Sequence, residues 1–259
     1  MSFRAARGAV ALTALLLTTS CGGGNAPPRA AGPGEIDLTG SPSARSAAPP
    51  SEPETAPASG APIRFEDLPV TRLDRAKVPT PNAANPSLGP NGAPVVVQLW
   101  SDFECPFCAR MHPVLDELLH AYAGKVQIVW HDYPLPFHAH ARLAANAGRE
   151  AYAQGGASAF WKFQTAVYEA NAPELDANGL QKFASQVGLD VTRFRASLSD
   201  LHHDAEIRHD VSVGDAVGVE GTPAFLVNDY FFIGEVPFEV FRVIVDRALS
   251  DAGIAAKKP

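Results

Sequence analysis

Apolar residues recur along this chain in two rhythms, and the switches between them lay out the folded part. Val95, Val96, Val97, Gln98, Leu99 and Trp100 form a β-branched and aromatic run with the character of a strand buried on both faces. Phe107, Met111, Val114, Leu115, Leu118 and Tyr122 then return at helical spacing, predicting an amphipathic helix over residues 106–123 with Gly124 as its C-cap. Val126, Gln127, Ile128, Val129 and Trp130 make a second buried strand. Strand, helix and strand within about 40 residues form a right-handed βαβ unit with parallel strands. Pro134, Leu135, Pro136 and Phe137 break the chain out of the sheet.

From about residue 138 to 217 the rhythm is helical throughout. Leu143, Ala147 and Tyr152 mark one face, Phe160, Phe163 and Val167 another, and Leu180, Phe183 and Val187 a third, with breaks at Gly155-Gly156 and Asn171-Ala172-Pro173. Asp190 is placed to cap a helix carrying Phe194 and Leu198, and a further helix through Leu201, Ala205 and Val213 leads back to the sheet. Ala224, Phe225, Leu226 and Val227 and then Tyr230, Phe231, Phe232 and Ile233, parted by Asn228-Asp229, predict a β-hairpin. Residues 237–250 close the pattern as a helix through Phe238, Phe241, Ile244, Val245 and Leu249. Before the first strand, Pro90 and Asn91-Gly92 mark a turn, and Val70 and Leu73 suggest a short edge strand within residues 63–78.

Composition changes the picture at the N-terminus. Arg4 and Arg7 precede an apolar stretch over residues 9–17, which is too short to span a bilayer as a helix and fits a signal peptide over residues 1–20. The stretch ends at Leu17-Thr18-Thr19-Ser20-Cys21, which looks like a lipoprotein cleavage site with Cys21 as the lipidated residue. An ordinary signal peptide cleaved nearby would instead leave Cys21 a free thiol, a liability in an oxidising compartment. On either reading the protein is exported. Residues 21–61 are Gly, Ala, Pro and Ser with few large apolar side chains, a tether that cannot bury a core. Residues 62–259 then suit one domain. Gly22 lacks the aspartate that retains lipoproteins at the inner membrane in some bacteria, a weak pointer to the outer one. The residues at 256–259 are expected to fray.

Cys105-Pro106-Phe107-Cys108 sits at the junction of the first strand and its helix. The first turn of a helix offers unpaired N–H groups and about half a positive charge, which favour an anion. Cys105 is thus the natural thiolate. A free cysteine has a pKa of about 8.5, whereas CxxC thiols at helix starts fall to about 3.5–7.5. Cys108, one turn on, would be the resolving thiol, and Pro106 suits the first helical position, where its missing N–H costs nothing.

In combination, Ser101-Asp102-Phe103-Glu104-Cys105-Pro106-Phe107-Cys108, Pro113, Pro134-Leu135-Pro136-Phe137-His138 and Gly221-Thr222-Pro223 resemble the DsbA-type thiol:disulfide oxidoreductases of the thioredoxin superfamily. The resemblance implies an α/β thioredoxin-like fold with an all-helical insertion at about residues 138–217, between the βαβ half and a C-terminal ββα half. It implies a redox disulfide between Cys105 and Cys108, and a cis peptide at Thr222-Pro223 that faces the thiols and pairs with an extended substrate.

Two departures from that pattern bear on chemistry. Phe107 stands where DsbA has a histidine, and Asp102 and Glu104 add negative charge nearby, so a couple less oxidising than a strong oxidase is expected. Leu99 stands six residues before Cys105, where thioredoxin and DsbA carry a buried acid for proton transfer; Asp102, Glu104 or solvent would have to substitute.

Other chemistries fit less well. His202, His203, Glu206 and His209 fall on one predicted helix, where solvated surface is favoured over metal ligation. His138 and His140 either line a groove beside the thiols or simply pack. A zinc site needs four ligands and no second CxxC is present; Ala109, not histidine, follows Cys108, which excludes c-type haem attachment. No metal or cofactor is expected. The net charge of -7 becomes -9 once Arg4 and Arg7 leave with the signal segment, so nucleic acid would be repelled.

The expected activity is thiol–disulfide exchange on unfolded or cysteine-containing exported proteins. Oxidase is the leading direction, with reductase or isomerase, which Thr222 resembles, as the alternative. A membrane redox partner would recycle the CxxC, and contact with the membrane would be through the lipid anchor alone. From a different class, a non-catalytic tethered binding module with a structural disulfide also fits the pattern.

Overall fold

The computed structural model describes residues 62–170 and 173–254. The expected signal peptide, Cys21, the tether, the break at Asn171 and Ala172, and the tail at 256–259 lie outside the described residues.

Two 3-10 turns, Phe65–Asp67 and Arg75–Lys77, flank the short strand β1 (Thr71–Arg72), and β2 (Ser87–Leu88) follows. The βαβ unit is β3 (Val95–Ser101), α1 (Pro106–Ala121) and β4 (Val126–Asp132). Four helices come next: α2 (Ala141–Tyr168), α3 (Ala177–Gln186), α4 (Val191–Asp200) and α5 (Asp204–Val217). The hairpin β5 (Ala224–Val227) and β6 (Tyr230–Ile233) and the helix α6 (Phe238–Asp251) complete the order. The strands form one sheet in the order β1-β6-β5-β3-β4-β2, in which β3 and β4 are parallel and every other pairing is antiparallel. This is the α/β architecture expected from the sequence, with the helical block between the two halves.

Alternation along β3 decides what each face of the sheet meets. Val95, Val97 and Leu99 join Ile128, Trp130, Phe225 and Val227 in the main core, which α1, α6 and the helical block cover. Trp100 faces the other way with Ala224 and Leu226, under Val213 and Val217 of α5. The hairpin turn is fastened to β3: Asn228 takes a left-handed conformation at φ 54, accepts from the Val96 N–H at 2.9 Å and donates to the Pro94 carbonyl.

Local chemistry sets the helix boundaries. Asp176 caps α3 through the N–H groups of Asn178 and Gly179, and Asp190 caps α4 through those of Thr192 and Arg193, satisfying donors that have no intrahelical partner. The break expected at Gly155-Gly156 is a kink inside α2, where Gly156 has φ 65 and ψ -159, a conformation glycine alone takes freely. α1 ends two residues earlier than its apolar pattern suggests. Leu201, expected inside a helix, is instead the left-handed C-cap of α4 at φ 49, so α5 begins only at Asp204. The edge strand foreseen within residues 63–78 is β1. β2 was not foreseen, because two residues carry no period; Gly89 beside it lies where a Cβ would stand 2.4 Å from the Val126 carbonyl oxygen.

The helical block is locked to the sheet by charge as well as by packing. Arg149 of α2 is 3% exposed and lies between the carboxylates of Asp132 at the end of β4 and Asp210 on α5. Asp132 also accepts from Trp130 Nε1 at 2.8 Å, and Asp210 from the Asp132 N–H at 2.8 Å and Asn85 Nδ2 at 3.0 Å. Removing one partner from such a buried set leaves uncompensated charge. Arg149→Met is therefore expected to cost about 3–5 kcal/mol, seen as a lower urea midpoint at an unchanged slope.

Candidate active site

Cys105 is the last extended residue before α1, with φ -78 and ψ 118, and Pro106 takes the first helical position. The Cys105 N–H donates to the Asp102 carbonyl at 3.1 Å. This loop is seated by Phe103, whose ring packs against Trp130, Phe160, Phe163 and Tyr168. Gly148 makes room for it, since a Cβ there would stand 2.9 Å from the Phe103 ring.

The hairpin half delivers the opposing wall. The Thr222–Pro223 peptide is cis, and the Thr222 carbonyl accepts from Cys105 Sγ–H at 3.3 Å. The Gly234 N–H donates to the Pro223 carbonyl at 2.8 Å, tying this loop to the end of β6. Thr222 Oγ1 is buried without a hydrogen-bond partner. Residues 117 apart in sequence thus meet at one sulfur.

The two thiols are reduced and both buried, yet their surroundings separate them. A hydrogen bond from Cys108 brings Cys105 down to about 6, helped by the N–H groups of Cys108 and Phe107, against the opposing effect of burial. Burial pushes Cys108 well above the ordinary thiol range, and the neighbouring Cys105 pushes the same way. At neutral pH the Cys105 sulfur is thus favoured as an anion, and Cys108 stays a thiol that donates to it.

Several site residues do something other than what the sequence suggests. Asp102 and Glu104, expected to oppose the Cys105 thiolate through their charge, have a structural part that the sequence did not suggest. Asp102 is buried and accepts from the Leu135 N–H at 2.9 Å, the Glu104 N–H at 2.8 Å and His138 Nδ1 at 2.7 Å, while burial raises its pKa. Glu104 accepts from the His140 N–H at 2.6 Å. The pair therefore fastens the loop before α1 to the loop after β4. Leu99 lies in the apolar core. Among the four residues expected on one helix, His202 precedes α5 and His203 is its N-cap. His203 is buried against Glu150, at 3.0 Å from Nε2 to Oε2, rather than solvated. Among the described residues no cluster of three or more His, Cys, Asp or Glu could hold a metal.

Phe107 stays half exposed beside the thiols. The Arg110 guanidinium lies 4.5 Å from its ring centroid and makes a paired contact with Glu235 at 2.7 and 3.1 Å. Arg110 also feels the charge of Cys105. Sequence reasoning missed it, although its position three residues after Phe107 puts it on the same face of the helix. Phe137 and Ile233 are likewise exposed.

Because Cys108 supplies the largest part of the effect, deleting its donor destabilises the Cys105 anion. Cys108→Ala should move the thiolate titration from about 6 toward the ordinary value of about 8.5, read as thiolate absorbance against pH.

A family model described as thioredoxin matches residues 82–247. A Na(+)/H(+) antiporter of Salinispora tropica, NhaA 3, is 37% identical over 165 residues, which are 63% of this chain and 24% of that protein. The chain thus spans about a quarter of the length of that curated relative. Among solved structures, a thioredoxin-like oxidoreductase from Silicibacter pomeroyi superposes with a TM-score of 0.59 at 27% identity, covering 65% of this chain and 94% of the other. The thiol-disulfide exchange protein alpha-DsbA2 from Wolbachia pipientis gives 0.56 at 22% identity, covering 63% and 86%. The fold of residues 62–170 and 173–254 is accordingly thioredoxin-like with a helical insertion, and the chain belongs to the thioredoxin family.

Proposed function

We propose that this chain catalyses thiol–disulfide exchange on exported proteins through Cys105 and Cys108, chiefly as an oxidase. The observation that carries this reading is the unequal pair: Cys105 held acidic at the start of α1, across from the Thr222 loop, with Cys108 held protonated behind it. In the oxidising direction a substrate thiolate attacks Cys105 of the disulfide form, and the electron pair of the broken S–S bond passes to Cys108. A second substrate thiolate then attacks the substrate sulfur of the mixed disulfide and displaces Cys105, so the substrate leaves oxidised and both enzyme thiols are reduced. A membrane redox protein would reoxidise them. Thr222 and Pro223 would hold the substrate backbone, and the exposed Phe107 would lie beside it.

The N-terminal segment supports export, and Cys21 supports a lipid anchor with residues 22–61 as the tether. Cys21→Ser should shift the protein from the membrane fraction to the soluble one.

Thr222 favours a second reading, reductase or isomerase, and the reduction potential separates the two. Holding Cys105 as the anion stabilises the dithiol relative to the disulfide, so the potential rises as the Cys105 pKa falls. A value of about 6 lies between those of DsbA, about 3.5, and thioredoxin, about 7. The potential is therefore expected between about -120 and -270 mV, measured in glutathione buffers. Cys105→Ser should abolish both the reduction of insulin and the refolding of reduced ribonuclease. Wild-type rates from that variant in both assays would leave only a binding module.

A further inference from the structure

Cys108 presents a problem that the proposed exchange must solve. It is 3% exposed, and it must become an anion to attack a mixed disulfide on Cys105. The buried acid expected nearby is replaced by Leu99, and the Asp102 carboxylate is committed to His138, Leu135 and Glu104. Two hydroxyls stand there instead. Ser101, the last residue of β3, reaches Cys108 with its side chain. Its Oγ lies 3.0 Å from the hydroxyl of Tyr168, at the end of α2, and that hydroxyl lies 3.2 Å from the Asp102 carbonyl.

We propose that Ser101 and Tyr168 form a reversible hydrogen-bond chain that stabilises the Cys108 anion and so lets it resolve the mixed disulfide. This rests on the exchange reading above. In the dithiol state the Cys108 S–H donates to the Cys105 sulfur, Ser101 donates to Tyr168, and Tyr168 donates to the Asp102 carbonyl. When Cys105 is bound to a substrate sulfur, Cys108 loses that acceptor. The chain then turns around: Tyr168 donates to Ser101 Oγ, and Ser101 donates to the Cys108 sulfur. No buried group is orphaned by the reversal, because the Asp102 carbonyl keeps the Cys105 N–H at 3.1 Å.

The step balances without a further reactant. Cys108 gives its proton to solvent or to the departing thiolate, its sulfur bonds to Cys105, and the substrate sulfur leaves with the electron pair of the bond it loses. Ser101 and Tyr168 neither gain nor lose a proton, so they are positioning residues. The titratable neighbours of this region are Cys105 before α1, Tyr168 on α2 and the buried Asp102, whose charge acts on Tyr168. His112, one turn beyond Cys108, stands 6.1 Å from the Tyr168 ring and is held by Gln164 and Asp116.

The test mixes the reduced full chain with oxidised glutathione and separates dithiol, glutathionylated and disulfide forms by mass after acid quenching, over a range of pH. In Ser101→Ala the glutathionylated form should accumulate, with ring closure about tenfold slower and its pH profile about one unit higher, the effect of one lost hydrogen bond to a charged group. Glutathionylation itself and the Cys105 titration should be unchanged, and Ser101→Thr, which keeps the hydroxyl, should restore closure. Tyr168→Phe should move the same profile in the same direction, and it carries the test if Ser101→Ala does not fold. Closure at the wild-type rate and pH profile in whichever of these variants folds would overturn the proposal. So would equal slowing by Ser101→Thr and Ser101→Ala, which indicates packing alone. A wild-type protein that forms neither glutathionylated nor disulfide product would overturn the exchange reading first.

Discussion

One guanidinium joins the two bodies of this domain. Arg149 sits between a carboxylate at the end of a central strand and another on the helix that covers the opposite face, with indole and amide donors completing the set. Charges taken out of water contribute little net stability unless each is matched, and here the matching is close. Its effect is positional: the end of β4 is held to the helical block beside Ser101, where β3 ends and the thiol loop begins.

The site exploits that fixed platform. Phe103 reaches from the thiol loop into an aromatic set drawn from β4 and α2, and its edge-to-face pairs with Phe160 and Phe163 contribute about 0.5–1.5 kcal/mol each beyond area burial. Asp102 and Glu104 tie the same loop sideways to residues 135–140. With the backbone immobilised, the N–H groups of the first helical turn need no reorganisation to meet a sulfur anion. Acidity at Cys105 thus follows from the N–H groups of the first helical turn together with a single neighbouring thiol donor.

The parts of this arrangement that were legible in the sequence are those written in local periodicity or in fixed motifs. The runs at Val95 and Val126, the α1 stripe from Phe107 to Tyr122, the caps at Asp176 and Asp190 and the hairpin at Asn228 each leave a signal several residues long. The cis peptide at Thr222 was reachable only through family resemblance. Arg149 left no trace, because one arginine in an alanine-rich helix reads as solvated surface until the distant Asp210 is known to face it. His203 was misread for a related reason: left-handed Leu201 delays the start of α5, which rotates every later assignment of helix face. Asp102 and Glu104 were legible only as charge, because the loop after β4 that they tie down is more than 30 residues away in sequence.

The bond from Cys105 to the Thr222 carbonyl spans most of the folded domain in sequence. Because a chain is made from its N-terminus, the thiol pair emerges well before the strand that follows Pro223. During that interval the Cys105 sulfur lacks its opposing wall. The walled site is complete only once β5 has paired with β3.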